Sequence, residues 1–191
     1  MKHIAITGGI GSGKSFVCKL LGKYGIEVYD CDQAAKRLWA TDEELQRRLK
    51  EIVGEEVYIN NVLQKRVLAQ YLLKSEANKI TVDNLIHPVI ARDFLQSGYG
   101  WLESAILFDS GFYKRIDFDF IVCVSAPLET RVQRVMERDG ITETKALEWI
   151  HKQWPQEKVE RHSNFVIVND GVKDLDEQIK ELINTTSKIQ Q

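Results

Sequence analysis

The sequence predicts an α/β fold of three layers, in which helices cover both faces of a five-stranded parallel sheet. Short apolar runs of the kind found in buried parallel strands recur along the chain, and segments with helical periodicity separate them. A glycine-rich turn joins the first apolar run to the first helical segment. The predicted strands are residues 3–7, 25–30, 101–108, 118–125 and 165–168.

Length and composition narrow the class of protein. The 191 residues suffice for one large domain, and the formal net charge of −2 offers no basic field for a nucleic-acid partner. Three widely spaced cysteines, Cys18, Cys31 and Cys123, favour a reducing compartment with neither a disulfide nor a zinc site. No apolar run approaches the ~20 residues of a membrane span. We therefore expect a cytoplasmic protein with no membrane partner, as a monomer or weak homo-oligomer.

The turn after the first strand, Gly8-Gly9-Ile10-Gly11-Ser12-Gly13-Lys14-Ser15, fits the phosphate-binding pattern G-x-x-x-x-G-K-[ST]. Its glycines let the backbone curl so that successive N–H groups point at phosphate oxygens, and the following helix adds the positive end of its dipole. We expect Lys14 to bind the β- and γ-phosphates of a nucleotide and the Ser15 hydroxyl to be a Mg²⁺ ligand. The predicted fold is thus a P-loop NTPase core, and a turn that binds nothing is the alternative.

Two aspartates, Asp30 and Asp32, follow the second predicted strand. Residues two apart on an extended backbone point to the same side, and ligands of open α/β sheets bind beyond the carboxyl ends of the strands. The pair can divide two tasks of a kinase: accepting a proton from the attacking hydroxyl, and organising Mg²⁺ directly or through a water. The alternative is that Asp32 only caps the helix that begins near Gln33.

Residues 33–97 are predicted to be mostly helical, with no strand, and are too long for an ordinary crossover. The expected helices are 34–39, 42–53, 63–73 and 84–94, with Thr41 and Glu44 as a capping box. We interpret this block as a helical substrate-binding insertion. Arg66 is either a phosphate partner or a solvated charge, and His87, which precedes a proline, is a histidine at a helix boundary on the simpler interpretation.

Charged residues in the second half of the chain suggest the remaining parts of a kinase. The third predicted strand ends at Asp109, which is either a Mg²⁺-organising acid at a strand exit or a helix cap. Arg131, Arg134 and Arg138 have the spacing of one helix face. With the charged stretch 139–162 they are typical of a helical lid that closes over the γ-phosphate, and a solvated basic face is the alternative.

An ordered set of motifs marks a resemblance that runs along almost the whole chain. The motifs are Thr7 with the phosphate-binding turn, Asp30-Cys31-Asp32, Ile86-His87-Pro88, Arg134-Val135-Met136-Glu137-Arg138-Asp139, Gln153 and Asn169-Asp170-Gly171. In these motifs the sequence resembles the dephospho-CoA kinase family. The resemblance implies transfer of the ATP γ-phosphate, with Mg²⁺, to the 3′-hydroxyl of dephospho-CoA in the last step of coenzyme A synthesis.

The resemblance also implies roles for residues on the acceptor side and in the phosphate cradle. Asp32 would be the general base and would contact dephospho-CoA, which Arg66 and His87 would help to hold. Lys14 and the loop amides would form the phosphate cradle. The family usually has a small residue at Phe16, whose backbone N–H can still bind phosphate.

The resemblance also implies roles for residues in the second half of the chain. Arg138 would belong to the lid and act in catalysis, and Asn169 and Gly171 would lie near the adenine of ATP. Asp109 stands where the family tends to have a glutamate, so its carboxylate is one methylene shorter as a metal ligand.

The resemblance divides one domain, residues 1–191, into three parts. A nucleotide-binding core would take 1–32, 98–138 and 163–191, the CoA-binding subdomain 33–97 and the lid 139–162. Two other functions stay open: a kinase for another small hydroxyl or nucleotide acceptor, and a non-catalytic nucleotide-dependent switch. The Asn78-Lys79 pair lacks the aspartate of the guanine-binding pattern Asn-Lys-x-Asp, which favours ATP.

Overall fold

A computed structural model describes residues 2–188, and the chain forms two compact units. Of the described residues, the first unit takes 2–29 and 99–188, and the second takes 30–98. Residue 1 and residues 189–191 of the predicted nucleotide-binding core lie outside the described range. Within that range no helix combines the length and apolar character needed to cross a membrane.

Single helices or groups of helices separate most of the strands along the chain. In chain order the strands are β1 (Ile4–Thr7), β2 (Val28–Asp30), β3 (Tyr58–Ile59), β4 (Val62–Leu63), β5 (Trp101–Glu103), β6 (Phe120–Ser125) and β7 (Phe165–Val168). The α-helices are α1 (Lys14–Gly22), α2 (Cys31–Thr41), α3 (Glu43–Val53), α4 (Lys65–Lys74), α5 (Glu76–Ser97), α6 (Leu128–Asp139), α7 (Glu143–His151), α8 (Gln156–Arg161) and α9 (Leu175–Ser187).

Five strands form one sheet in the order β2-β5-β1-β6-β7. The register pairs Ile4 of β1 with both Trp101 and Phe120, and these pairings and that of β6 with β7 are parallel. Except between β5 and β6, α-helices lie in the connections between successive strands of this sheet, as is usual for parallel strands. The predicted α/β class with a five-stranded parallel sheet is confirmed.

The core of the first unit explains why the phosphate-binding turn has a rigid base. All four residues of β1 are buried. Ile6, Val124 and Ile167, from three neighbouring strands, pack with Leu21 of α1 and Leu182 of α9. Full burial of one such side chain contributes about 1.5–3 kcal/mol, so β1 and α1 are held firmly on either side of the turn.

Strand β5 is shorter than predicted. We expected a strand over 101–108, but pairing ends at Glu103, and residues 105–110 form turns. Leu107 and Phe108 are nevertheless buried, because these turns pack against the core. A short apolar run looks the same in a buried turn as in a buried strand, which is why periodicity misled here.

The second unit contains a hairpin where we predicted no strand. Strands β3 and β4 pair antiparallel, with Tyr58 opposite Leu63. The two turn residues, Asn60 and Asn61, have φ of 51° and 61°. A two-residue turn with positive φ at both positions suits a hairpin, and asparagine tolerates that conformation better than most residues. The Asn-Asn pair was therefore the signal for this hairpin, and the helix predicted from residue 63 begins at Lys65 instead.

The predicted capping box at the start of α3 is wrong. Asp42 caps this helix, because its Oδ1 accepts a hydrogen bond from the Leu45 amide at 2.9 Å. The Thr41 hydroxyl instead donates to the carbonyl of Arg37, one turn back in α2. Aspartate and threonine are both favoured caps, so adjacent candidates are easily exchanged in a sequence argument.

Candidate nucleotide-binding site

The turn between β1 and α1 needs glycine at its two ends. Gly8 has φ of 145°, and a Cβ built on it would lie 2.2 Å from the carbonyl oxygen of Val124. Gly13, the N-cap of α1, has φ of 91°, and its Cβ would lie 2.1 Å from Nδ2 of Asn169. Both backbone conformation and close packing therefore exclude a side chain at these positions.

Three consecutive carbonyls of this turn are bound by side chains that come much later in the sequence. The Ile10 carbonyl accepts from Arg131 Nε at 2.9 Å, that of Gly11 from Arg134 Nη1 at 3.3 Å, and that of Ser12 from Asn169 Nδ2 at 2.8 Å. The C=O and N–H of one peptide point in opposite directions. Fixing the Ile10 and Ser12 carbonyls on one side therefore turns the amides of Gly11 and Gly13 to the other side, as an anion-binding concavity requires.

Two amides of the turn already have acceptors. The Ile10 amide donates to Gln153 Oε1 at 2.7 Å, and the Ser12 amide donates to the Gly9 carbonyl at 3.1 Å. We predicted that Ile10 contacts the nucleotide, but its amide is occupied by Gln153. The Ser12 side chain is fully buried, and its Oγ has no hydrogen-bond partner within residues 2–188.

The first turn of α1 carries the other residues of the predicted phosphate cradle. Lys14 is 8% exposed, and Ser15 follows it at the start of the helix. Amides in a first helical turn lack acceptors within the helix, which suits phosphate oxygens. The Phe16 amide donates to the carbonyl of Gly13 at 3.0 Å, and its binding to phosphate stays a prediction.

Glu103 is a site residue that the sequence argument missed. Its Oε1 lies 3.9 Å from Lys14 Nζ, and both side chains are largely buried. Because β5 ends at Glu103, this residue is the acid at the strand exit. A glutamate inside an apolar run was the available signal, since a buried charge needs a partner.

Asp109 is therefore not the strand-exit acid that we predicted. It lies in the turns after β5, and its Oδ1 accepts a hydrogen bond from the Trp154 amide at 2.5 Å. It does not cap a helix either, because the following 3₁₀ turn has Gly111 as its N-cap. The error follows from the overestimated length of β5.

The three arginines of α6 have different surroundings. Arg131 and Arg134 bind carbonyls of the phosphate-binding turn, whereas the exposed Arg138 pairs with Asp139 at 2.6 Å. That hydrogen bond raises the pKa of Arg138 and lowers the pKa of Asp139. Seven residues along a helix correspond to about 10 Å, so Arg138 lies two turns beyond Arg131. The three arginines therefore do not act as one set.

Asn169 follows β7 and is buried. Its side chain binds the turn, as described above. Its backbone N–H donates to the carbonyl of Ser125 at 2.7 Å, and its backbone carbonyl accepts from Arg134 Nη2 at 3.2 Å. Gly171, with φ of 84°, belongs to a turn in which Asp170 accepts hydrogen bonds from the next two amides after the glycine. These bonds lower the pKa of Asp170. In this structure Asn169 supports the phosphate-binding turn.

Within the second unit, Asp30 and Asp32 differ in their local structure. Asp30 ends β2 and caps α2, because its Oδ1 accepts from the Gln33 amide at 2.9 Å. Asp32 lies in the first turn of α2 and is exposed. The premise that both lie on one extended segment is wrong, and so is the alternative that Asp32 is the cap. Capping accounts for Asp30 and not for Asp32.

The predicted substrate residues of the second unit lie on two helices. Arg66 is exposed in the first turn of α4. His87 is buried on α5, with Nε2 3.8 Å from Asp83 Oδ1. Helix α5 continues through Pro88, so the prediction of a helix boundary at His87 is wrong. A proline costs one backbone hydrogen bond, and burial of the surrounding apolar residues offsets that cost here.

Comparison with known proteins extends over nearly the whole chain. The sequence profile of the family described as dephospho-CoA kinase matches residues 2–174. A dephospho-CoA kinase of Bacteroides fragilis is 41% identical, with 94% of this chain and 90% of the relative covered. A crystal structure of a Thermus thermophilus protein has a TM-score of 0.80 at 28% identity, with 100% of this chain and 98% of that chain covered. A dephospho-CoA kinase structure from Campylobacter jejuni shares the fold, with a TM-score of 0.68 at 20% identity and 98% of each chain covered.

Proposed function

Because the chain belongs to the dephospho-CoA kinase family, we propose that it transfers the γ-phosphate of ATP to the 3′-hydroxyl of dephospho-CoA, giving coenzyme A. The family match covers residues 2–174, and the 41% identity to a curated relative extends over most of the chain. The observation that carries the proposal is this match together with a phosphate-binding turn in which side chains bind the carbonyls of Ile10, Gly11 and Ser12. Such chemistry uses cytoplasmic ATP, and we infer that location.

The donor half of the site is assigned to the turn and to α1. Lys14 neutralises charge on the β- and γ-phosphates, and the amides around Gly13 hold phosphate oxygens. The helix N-terminus favours the same anion through its dipole. Asn169 binds the Ser12 carbonyl of this turn, and Gly171 follows two residues later; we assign both to the adenosine end of ATP.

Mg²⁺ is the metal expected with ATP. Within residues 2–188 no cluster of three or more His, Cys, Asp or Glu side chains could hold a metal ion. Mg²⁺ is commonly held by one or two protein oxygens, substrate phosphates and waters. The Ser15 hydroxyl is the proposed direct ligand, and Glu103 is the proposed acceptor for metal-bound water. When bound, the ion neutralises charge on the transferring phosphoryl group.

The residues proposed to act on the acceptor, Asp32 and Arg66, belong to the second unit. Asp32 is the proposed general base, which takes the proton from the 3′-hydroxyl as its oxygen attacks phosphorus. Its carboxylate is exposed and is not used as a helix cap, so it is available for this task. Arg66 is the proposed partner of a phosphate group in dephospho-CoA, in the two-pronged geometry that guanidinium groups favour.

The bond changes of this reaction define what each group must do. The 3′-oxygen forms a bond to the γ-phosphorus as the bond between that phosphorus and the β–γ bridging oxygen breaks, and ADP leaves. Asp32 receives the hydroxyl proton, and Lys14 stabilises charge that develops on the leaving oxygen. Arg138 is proposed to approach the phosphates only after it releases Asp139.

A panel of acceptors tests the proposal. Purified protein is supplied with Mg²⁺ and ATP, and ADP release is followed with dephospho-CoA, pantetheine phosphate, nucleosides, shikimate and no acceptor. We expect strong stimulation by dephospho-CoA and a product heavier by one phosphoryl group. Stimulation by another acceptor but not by dephospho-CoA would favour the alternative, a kinase for a different hydroxyl group.

A further inference from the structure

The backbone N–H and C=O of Ile10, in the phosphate-binding turn, both bind side chains from the part of the chain that follows β6. Its amide donates to Gln153 Oε1 at 2.7 Å, and its carbonyl accepts from Arg131 Nε at 2.9 Å. Both side chains come from far along the chain, at separations of 143 and 121 residues. The same turn residue is therefore held at its donor and at its acceptor.

Arg131 is a buried cation that a hydrogen-bond chain holds in place. It is 4% exposed, and its Nη1 donates to Gln156 Oε1 at 3.2 Å. Gln156 in turn donates to Glu160 at 3.3 Å, and Glu160 accepts from the Ser125 hydroxyl at 2.6 Å at the end of β6. Burial lowers the pKa of Arg131 because desolvation disfavours the charged form. A buried guanidinium needs strong acceptors, and the Ile10 carbonyl is one of them.

Gln153 is anchored on the opposite side, by the turns that follow β5. Its Nε2 donates to the Ala105 carbonyl at 3.4 Å, and the next residue, Trp154, donates its amide to Asp109. The Trp154 ring stacks on Phe108 with centroids 5.5 Å apart and planes at 10°. These contacts keep the Gln153 carbonyl oxygen directed at Ile10.

We propose that Arg131 and Gln153 are positioning residues that clamp Ile10 and thereby set the geometry of the phosphate-binding turn. Neither donates to a phosphate in this scheme, because Arg131 binds a carbonyl and the Gln153 oxygen is an acceptor. They act through the backbone: holding the Ile10 carbonyl on the α6 side directs the Gly11 amide to the phosphate side. The clamp makes binding of the ATP phosphates depend on the packing of α6, α7 and α8.

The clamp also explains why Asp109 and Trp154 meet where they do. The bond between them holds the start of α8 against the turns after β5, and Gln153 lies immediately before it. If this contact opens, Gln153 loses its anchor and the Ile10 amide loses its acceptor. The segment between α6 and β7 therefore controls the turn mechanically.

The proposal rests on ATP binding at this turn, and binding measurements on the full chain test it. The variants are Arg131→Met, which keeps length but removes the donors, Gln153→Leu, which removes the acceptor, and the double variant. Arg131→Lys retains one donor for the Ile10 carbonyl. Gln133→Leu is the matched control, since Gln133 is an exposed α6 residue that donates only to Glu137 on the same helix.

Affinities for ATP and for adenosine, which lacks phosphates, are measured by competition binding, with thermal unfolding of each variant in parallel. We expect each single variant to bind ATP roughly 10-fold more weakly, as loss of a buried hydrogen bond implies, with adenosine binding unchanged. Because both residues act on the backbone of the same residue, Ile10, through its two adjacent peptide units, the double variant should lose less than the product of the two single losses. Arg131→Lys should recover part of the ATP affinity, and Gln133→Leu should match the wild type.

Equal losses for ATP and adenosine would mean general damage to the fold and would overturn the proposal. Unchanged ATP affinity, or losses that multiply in the double variant, would also overturn it. If Arg131→Met does not fold, Gln153→Leu and Arg131→Lys still decide the outcome. A wild-type protein that binds ATP but does not phosphorylate dephospho-CoA would refute the proposed function and leave this test of the clamp intact.

Discussion

Replacing Glu103 by glutamine tests the electrostatic pair at the strand exit. The Glu103 carboxylate lies 3.9 Å from the Lys14 ammonium, and the side chains are 12% and 9% exposed. Two opposite charges about 4 Å apart attract by roughly 4 kcal/mol at an effective dielectric constant near 20. Desolvation offsets part of this attraction, and the distance exceeds that of a direct hydrogen bond. We therefore expect Glu103→Gln to lower the free energy of unfolding by about 2–3 kcal/mol.

Urea unfolding without nucleotide measures this change, and Asp109→Asn is the matched control. Both variants replace a carboxylate by its amide. Asp109, however, accepts a hydrogen bond from the neutral Trp154 amide, and the side-chain oxygen of an asparagine can accept the same bond. The free energy of unfolding of the control should therefore fall by less than about 1 kcal/mol. Saturating ATP should reduce the difference in unfolding free energy between Glu103→Gln and the wild type, because the phosphates place negative charge next to Lys14.

Two outcomes would refute this reasoning. If Glu103→Gln has the same free energy of unfolding as the wild type, the Lys14–Glu103 pair at 3.9 Å contributes nothing to stability. If Asp109→Asn is the more damaging variant in both stability and kinase turnover, Asp109 is the important acid and the assignment of Glu103 is wrong.

Three further predictions concern the turn, the base and a buried thiol. Gly8→Ala should cost roughly 3 kcal/mol of stability and abolish ATP binding, because its methyl group would meet the Val124 carbonyl; binding at wild-type affinity would contradict this. Asp32→Asn should lower kcat by ~10²–10⁴ with ATP affinity intact, as steady-state kinetics and calorimetry can check, and near-full turnover would exclude a general base. Burial raises the pKa of Cys123 to about 12 from 9.0, so its thiol stabilises the fold below pH 9 and that contribution falls as pH rises towards 12. Between pH 8 and pH 10 the free energy of unfolding should therefore fall by about 1 kcal/mol more in the wild type than in Cys123→Ala. An equal fall in both proteins would contradict this prediction.

The sheet and the phosphate-binding turn could be predicted because their signals are local. Buried parallel strands are continuous apolar runs, and the turn is specified by glycines and a lysine within eight residues. The residues that shape the turn have no such signal. Arg131 and Asn169 reach it from 121 and 157 residues away, and a single sequence does not indicate which arginine of a helix face turns inward.

The errors have local physical causes as well. A buried turn and a buried strand share the same apolar composition, so β5 was predicted too long and Asp109 was placed at the strand exit, where Glu103 lies. At the start of α2, the expectation of an extended segment hid the fact that Asp30 is the cap. In both cases a misplaced element boundary changed the local structure expected for an acidic residue.

The measurement closest to the central proposal is the formation of coenzyme A from dephospho-CoA and ATP by the purified chain. Product is detected by ³¹P NMR, which separates a 3′-phosphomonoester from the pyrophosphate, and ADP is counted in the same sample. We expect one new 3′-phosphate for each ADP, with formation lost in Lys14→Ala. ADP release without a 3′-phosphomonoester, or a phosphate at another position of the acceptor, would contradict the proposed function.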